Sequence, residues 1–167
     1  MKYRKATPLD IDNIMAVIED GRAFLKTQNS GQWQDGDPSR DNILKTILDD
    51  HFYVILSPNG DIASVCALTY QEDDYDHPYE GKWLSEMSYM VMHRCAVKAK
   101  YRHQGYGEAL FDLFEIEAKK QGYHSLRIDT HELNVPMRNL IKKKGFKYCG
   151  KTILKPNKDR MIFEKII

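Results

Sequence analysis

A strand-like run, a glycine-punctuated loop and a helix-like run succeed one another between Met90 and Gln121, and no other stretch limits the fold as much. Met90-Val91-Met92-His93-Arg94-Cys95-Ala96-Val97 reads as a strand. From Glu108 to Gln121 the apolar residues Leu110, Phe111, Leu113, Phe114 and Ala118 recur at helical spacing. Between them stands Arg102-His103-Gln104-Gly105-Tyr106-Gly107. Gly105 and Gly107 permit backbone conformations and a close approach that side chains block. Amides of the helix's first turn then face outward with the helix dipole behind them, a geometry that favours a pyrophosphate.

Alone, this fragment is equally open to a plain turn. A dinucleotide fingerprint of the GxGxxG kind fits it poorly, because Leu110 stands where the third glycine belongs and the glycines do not follow the strand directly. Asp129 can pose as the ribose-binding acid of such a site, but the rest of the pattern is missing. A second segment decides between these readings. The strand-like run Ser125–Thr130 is followed by Asn134, then Pro136, Met137, Leu140 and Ile141, and then Gly145-Phe146. Pro136 suits a first helical turn and Gly145 a helix end, so Asn134 stands between a strand and a short helix.

With both segments in view, the chain resembles the GCN5-related N-acetyltransferases, the GNAT family. Val97, Tyr101, Arg102, Gly105 and Gly107 match the acetyl-CoA motif V-x-P-x-Y-R-x-x-G-x-G, with Ala99 in place of the usual Pro. Asn134, Met137, Leu140, Gly145 and Phe146 are similar to the second motif, N-x-x-A-x-x-L-Y-x-x-x-G-F, in the same register. Ile141 occupies the position that often carries a Tyr donating a proton to the leaving thiolate. The resemblance covers residues 84 to 155 strongly and the rest loosely. It implies an acetyl-CoA-dependent transfer to a primary amine of a small molecule or peptide, by direct attack in a ternary complex.

Size and composition suit one ordinary domain over residues 1–167, which the resemblance implies is a single acetyltransferase domain. Hydrophobic residues make up 42% and charged residues 29%, and the formal net charge of +1 recruits neither nucleic acid nor membrane. Lys142-Lys143-Lys144 reads as a solvated helix face, or as help with cofactor phosphates. Cys66, Cys95 and Cys149 form neither a disulfide framework nor a metal-site spacing, and Cys66 and Cys95 read as buried small hydrophobes. No metal is expected. The N-terminus lacks an apolar signal core and no run reaches the ~18 apolar residues of a membrane span, so a cytoplasmic protein is the expectation. Dimers are frequent in the resembling family, and a homodimer is expected on that ground.

The pattern predicts a strand at Lys2–Thr7, a helix capped by Asp10 with Ile11, Ile14, Met15 and Ile18 on one face, and a second helix starting at Ser39. Strands 52–56 and 62–68 flank the turn Pro58-Asn59-Gly60, residues 71–82 form a polar loop, and a long strand runs from about Leu84 to Val97. The glycine-loop helix, strand 124–130, helix 135–144 and strands 146–154 and 159–166 complete an α/β (α+β) domain. Its sheet is mixed and mostly antiparallel, of about seven strands with helices on both faces, and has one parallel crossover.

By resemblance, backbone groups of Cys95, Ala96 and Val97 bond the pantetheine arm, Asn134 bonds it from the other side, and amides of Gln104, Gly105, Tyr106, Gly107 and Glu108 hold the pyrophosphate. Arg102 and His103 belong to the same loop. An acceptor ammonium must lose a proton before it attacks. Glu86, His93 and His131 are base candidates, and Glu86 has the position where family members often place one. Each also has a structural reading: an edge charge, a hydrogen-bonded core His and a solvated His. Unbroken alternation puts His93 on one face with Cys95 and Val97. Tyr89, Tyr101 and Tyr148 are candidates for the missing acid, with packing roles as the alternative. Trp33, between Gln32 and Gln34, resembles a Q-W loop that overhangs the acceptor in a subset of the family, or else plugs the core. Glu72, Asp73, Asp74 and Asp76 read as a solvated acidic loop. A non-catalytic acyl-CoA-binding or regulatory module is the alternative that Ile141 keeps open.

Overall fold

A computed structural model describes residues 1–154 and 157–167. The described residues hold strands β1 (Lys2–Lys5), β2 (Phe52–Leu56), β3 (Ile62–Tyr70), β4 (Glu80–Gly81), β5 (Tyr89–Val97), β6 (Ser125–Thr130), β7 (Lys147–Leu154) and β8 (Lys158–Ile166). Four α-helices alternate with them: α1 (Ile11–Thr27), α2 (Arg40–Leu48), α3 (Tyr106–Lys120) and α4 (Val135–Lys143). The strands hydrogen-bond in the order β1-β2-β3-β5-β6-β8-β7-β4. The β5–β6 ladder is parallel, and those of β1–β2, β2–β3, β4–β7, β6–β8 and β7–β8 are antiparallel. The mixed, mostly antiparallel α/β class expected from the sequence is therefore present. Part of the expected turn between the last two strands, Lys155-Pro156, lies outside the described residues.

Chain contacts gather into two compact units, Met1–Leu68 with Arg94–Leu113, and Thr69–His93 with Phe114–Ile167. In the first, Ile11, Ile14, Val17, Ile18 and Leu25 form the buried stripe of α1. The i, i+3, i+4 spacing of Ile11, Ile14, Val17 and Ile18 brings these four against Ile43 and Ile47 of α2 and Phe52, Val54 and Val65 of the sheet. Ile14, Val17 and Ile18 are fully buried, each stabilising the unit by about 2 kcal/mol. Helix α2 starts after Ser39, as expected, and Ser39 caps it, its Oγ accepting from the Asn42 amide at 3.2 Å. Asp10 behaves differently from the expectation. Its carboxylate turns back to the Thr7 amide (2.8 Å) and to Arg4 (2.7 and 2.9 Å), not to the first turn of α1. The hairpin turn is as expected, with Gly60 in the left-handed region at φ 84°.

In the second unit β6 pairs with β5 on one side and β8 on the other. Asn134 caps α4, Pro136 lies in its first turn, and Gly145 (φ 85°) closes it through Gly145 N–H to Lys142 O and Phe146 N–H to Ile141 O. Phe146 then stacks on Phe114, ring centroids 6.3 Å apart. Segment 71–82 is more than a polar loop. It contains a 3-10 turn at Asp73–Tyr75, with Tyr75 fully buried, and the eighth strand β4. The long strand starts at Tyr89, not Leu84, because the Leu84 and Ser85 amides donate to the Glu164 carboxylate (2.5 and 3.3 Å) instead of to a neighbouring strand.

Candidate functional site

In the first unit the chain leaves β5 through Lys98 N–H to Ala63 O (2.9 Å) and enters a 3-10 turn at Ala99–Tyr101. That turn is fastened on two sides. The Ala99 amide donates to Asp20 Oδ2 at 2.8 Å, and Tyr101 donates to Asp61 Oδ2 at 2.7 Å. Arg102 donates from Nη2 to Asp20 O at 2.6 Å, with its guanidinium 4.7 Å from the Phe24 ring centroid. The Tyr-Arg pair of the motif thus anchors the loop to α1 and to the β2–β3 turn.

Beyond this anchor His103 and Gly105 both take left-handed backbone, at φ 61° and 84°. The turn they make starts α3 at Tyr106, whose buried ring lies 5.4 Å from that of Tyr101. Ala109 N–H reaches Gly105 O at 3.0 Å, closing the first helical bond. The amides of Gln104, Gly105, Tyr106 and Gly107 donate to none of the described residues. They are the orphan donors of a 15-residue helix, with its dipole behind them. Gln104 and Gly105 are exposed, and a Cβ on Gly105 would meet only Met1 Cε, at 3.6 Å. This open, amide-lined loop fits an anion such as a pyrophosphate. The side chains of Arg102 and Tyr106 turn to the protein, which leaves the backbone as the ligand-facing part.

Ala96 is buried in the core of this unit, while Cys95 and Val97 are half-buried. Cys95 is thus less enclosed than expected, whereas Cys66 is fully buried, and all three cysteines are free thiols. Arg94 takes left-handed backbone at φ 53° in mid-strand, held by its guanidinium on Thr46 Oγ1 and on Asn42 O of α2. The pleat is interrupted there, so the unbroken alternation expected from His93 to Cys95 and Val97 does not hold. Trp33 packs on Gly21, where a Cβ would fall 2.9 Å from its Cζ3, and Arg22 Nε donates to its carbonyl at 2.8 Å. It is a half-buried plug on the core of the unit. The neighbouring Gln32 Oε1 is buried without a partner among the described residues.

The second unit holds the titratable candidates. Glu86 is exposed and makes no hydrogen bond or ion pair with a described residue. It precedes β5 and does not open it. Tyr148, on β7, is 47% exposed and donates to Glu80 Oε1 at 3.1 Å. Partial burial and then that bond raise its phenol above the usual range, which ties it to β4 as a protonated group. Ile141 is fully buried, and its position supplies packing. Asn134 Oδ1 accepts from Met137 N–H at 3.3 Å, leaving the Nδ2 amide to donate elsewhere. Four residues before it, Thr130 Oγ1 is buried without a partner among the described residues. A cavity of about 30 Å³ is lined by His131, Glu132, Lys151, Asp159, Arg160 and Met161.

His93 is the centre of a polar cluster. Its Nε2 lies 2.9 Å from Glu72 Oε1 and its Nδ1 3.6 Å from Asp129 Oδ1. Tyr75 donates to the same Asp129 oxygen at 2.5 Å, and Arg160 Nε lies 3.6 Å from Asp129 Oδ2. Burial, and then Asp129, push the Tyr75 phenol well above its ordinary range. Glu72 therefore does not belong to a solvated acidic loop. Sequence reading passed over Glu72, Tyr75 and Asp129 as partners of His93. The one visible signal is a carboxylate, Asp129, inside a strand-like run. Glu86, His93 and Tyr148 are not brought together by any contact among the described residues. No group of three or more His, Cys, Asp or Glu among the described residues is placed to hold a metal ion, and no described helix is long and apolar enough to cross a membrane.

An acetylating enzyme is the class that this loop and fold define. The model of the acetyltransferase (GNAT) family matches residues 18–146, and the chain belongs to that family. It is similar to a GNAT-family acetyltransferase from Streptococcus agalactiae, 36% identical with a TM-score of 0.87 over 99% of this chain and 95% of that one. A GNAT-family acetyltransferase from Listeria monocytogenes shares the fold at 20% identity and TM-score 0.76, over 99% and 94% of the two chains. The ribosomal-protein-S18-alanine N-acetyltransferase of Escherichia coli shares it at 15% and 0.68, over 99% and 93%. No curated protein matches the chain.

Proposed function

We propose that this protein is a single acetyltransferase domain that transfers an acetyl group from acetyl-CoA to a primary amine of a small molecule or peptide, by direct attack in a ternary complex. The observation that carries the reading is the run of amides at 104–107, at the start of α3, that donate to none of the described residues. With Glu108 they would hold the pyrophosphate, with backbone of Cys95, Ala96 and Val97 and the Nδ2 of Asn134 bonding the pantetheine arm. The Thr130 hydroxyl, four residues before Asn134 and buried without a partner among the described residues, supports a polar ligand there. Acetyl-CoA supplies an activated thioester, whose acyl carbon forms the new C–N bond as its C–S bond breaks.

Of the three base candidates His93 has the supporting environment. Two protons leave the nitrogen between ammonium and amide: the His93 ring takes the first before attack and passes it to solvent, and the second is lost as the C–S bond breaks and ends on the departing thiolate, which becomes the thiol. Glu86 lacks any partner to orient it. Tyr148, bound to Glu80, and Ile141, buried, leave the thiolate to depart without a dedicated acid. A homodimer and cytoplasmic residence accompany this reading as expectations. Thiol release from acetyl-CoA across a panel of primary amines, including peptide α-amines, tests it. Amine-dependent release at a rate above hydrolysis is expected, and acetyl-CoA binding without turnover of any amine would overturn it.

A further inference from the structure

We propose that Glu72 and Asp129 are positioning residues that make His93 a one-sided base: Glu72 holds the proton on Nε2, and Asp129 receives the charge when a proton arrives at Nδ1. This rests on the acetyl-transfer reading above. A carboxylate oxygen only accepts, so the 2.9 Å contact between Glu72 Oε1 and His93 Nε2 requires the hydrogen on Nε2. In the neutral ring the lone pair then sits on Nδ1.

Glu72 is itself fixed. Thr69 Oγ1 donates to the same oxygen at 2.6 Å, and the Glu72 amide donates to the Tyr89 hydroxyl at 3.1 Å. The 3-10 turn closes directly behind it, Tyr75 N–H reaching Glu72 O at 2.9 Å. On the other side, Nδ1 stands 3.6 Å from Asp129 Oδ1, beyond hydrogen-bond length. That spacing suits a nitrogen that starts without a hydrogen and gains one. A proton arriving there faces a carboxylate that is 6% exposed and already placed by the Tyr75 hydroxyl and by Arg160. Glu72 from the segment after β3, Tyr75 edge-on at 6.1 Å between centroids, and Asp129 from β6 all face the ring, with Arg160 of β8 one contact further. The imidazole side chain is 23% exposed, so it is not sealed off from an acceptor. A general base oriented through one nitrogen while the other does the chemistry is the logic of a nucleophile–base–orienter triad, applied here to an amine.

The first test uses the wild-type protein without substrates. Nitrogen-15 NMR of the imidazoles, with His93 assigned by comparison with His93→Gln, should show Nε2 protonated and Nδ1 bare in the neutral ring. The reverse tautomer would overturn the role of Glu72. The second test is kinetic. Glu72→Gln and Asp129→Asn should each lower kcat by roughly 10²-fold with the KM for acetyl-CoA unchanged. Loss of either carboxylate disfavours the imidazolium, so the acid limb of the kcat/KM profile should move to lower pH. A fall in rate that is equal at every pH would mean a merely structural role and would overturn the proposal. Absence of amine turnover in the wild type would instead remove the acetyl-transfer reading, and with it the catalytic meaning of the trio. The tautomer measurement would still report on Glu72 and His93 by itself.

Discussion

Glu164→Gln is the perturbation whose cost follows most directly from the structure. Glu164 is fully buried on β8. Its Oε1 accepts from Ser125 Oγ (2.5 Å), Ser85 Oγ (2.9 Å) and Arg127 Nε (3.3 Å), and its Oε2 accepts from the Leu84 and Ser85 amides (2.5 and 3.3 Å). Arg127 is stacked between Trp83 and Tyr89, its guanidinium carbon 4.2 and 3.9 Å from the two ring centroids. An amide in place of the carboxylate turns one acceptor into a donor and takes away the counter-charge of Arg127. Whichever way the amide is oriented, donors on one side are orphaned at about 1–3 kcal/mol each. Breaking one partner of a buried ion pair costs about 3–5 kcal/mol in all, because these terms overlap. At 2–4 °C per kcal/mol for a chain of this size, the midpoint should fall by roughly 6–20 °C. Thermal and urea unfolding measure the loss, and hydrogen exchange at the Leu84 and Ser85 amides reports whether the segment before β5 has come free. The double variant Arg127→Met/Glu164→Leu should recover much of the loss, since an apolar replacement of a buried pair is often close to neutral. A loss below about 1 kcal/mol, with both amides still protected, would refute the reasoning.

Gly150→Ala should displace β4, because a Cβ there would lie 1.9 Å from Glu80 O. Overpacking of this kind costs about 1–3 kcal/mol, and faster exchange of the Lys82 amide, bonded to Cys149 O, is the local readout. Asp10 is held at about 2, chiefly by its hydrogen bond from Arg4 and against the cost of burial, below the ordinary 3.8. A lowered folded value means its contribution is fully present above the unfolded value and is lost as pH falls from about 4 towards 2. Since Arg4 is 43% exposed, solvent screening reduces the contribution to about 1 kcal/mol. Asp10→Asn should lose that much at pH 7 and nothing further on acidification through this window, as read by urea unfolding at each pH.

The parts of the fold that local chemistry dictates were legible in the sequence. The helix start at Ser39, the Gly60 turn and the Gly145 helix end each rest on one residue whose conformational or hydrogen-bonding preference is intrinsic. The glycine loop was legible for the same reason. Arg94 was not, because a non-glycine residue is held in left-handed backbone only by distant partners, Thr46 and Asn42 on α2. Strand β4 escaped because two residues carry no periodicity. It exists through the close approach of Gly81 to Cys149 and of Gly150 to Glu80. The surroundings of His93 were hidden for a related reason. Glu72, Tyr75, Asp129 and Arg160 come from separate elements, and only the register of β6 with β8 and the 3-10 turn at Asp73–Tyr75 bring them to one ring.

In the proposed function, the amides at the start of α3 bind the pyrophosphate of acetyl-CoA. Thermal unfolding with saturating acetyl-CoA, with NAD and ADP as controls and Gly105→Glu beside the wild type, tests it most directly. Ligand at 100 times its dissociation constant adds roughly 2.7 kcal/mol, or about 5–10 °C in midpoint. That shift is expected for the wild type with acetyl-CoA, little with NAD or ADP, and none for a folded Gly105→Glu, where a side chain and a negative charge enter the open loop. An equal shift in the variant, or no shift in the wild type, would contradict it.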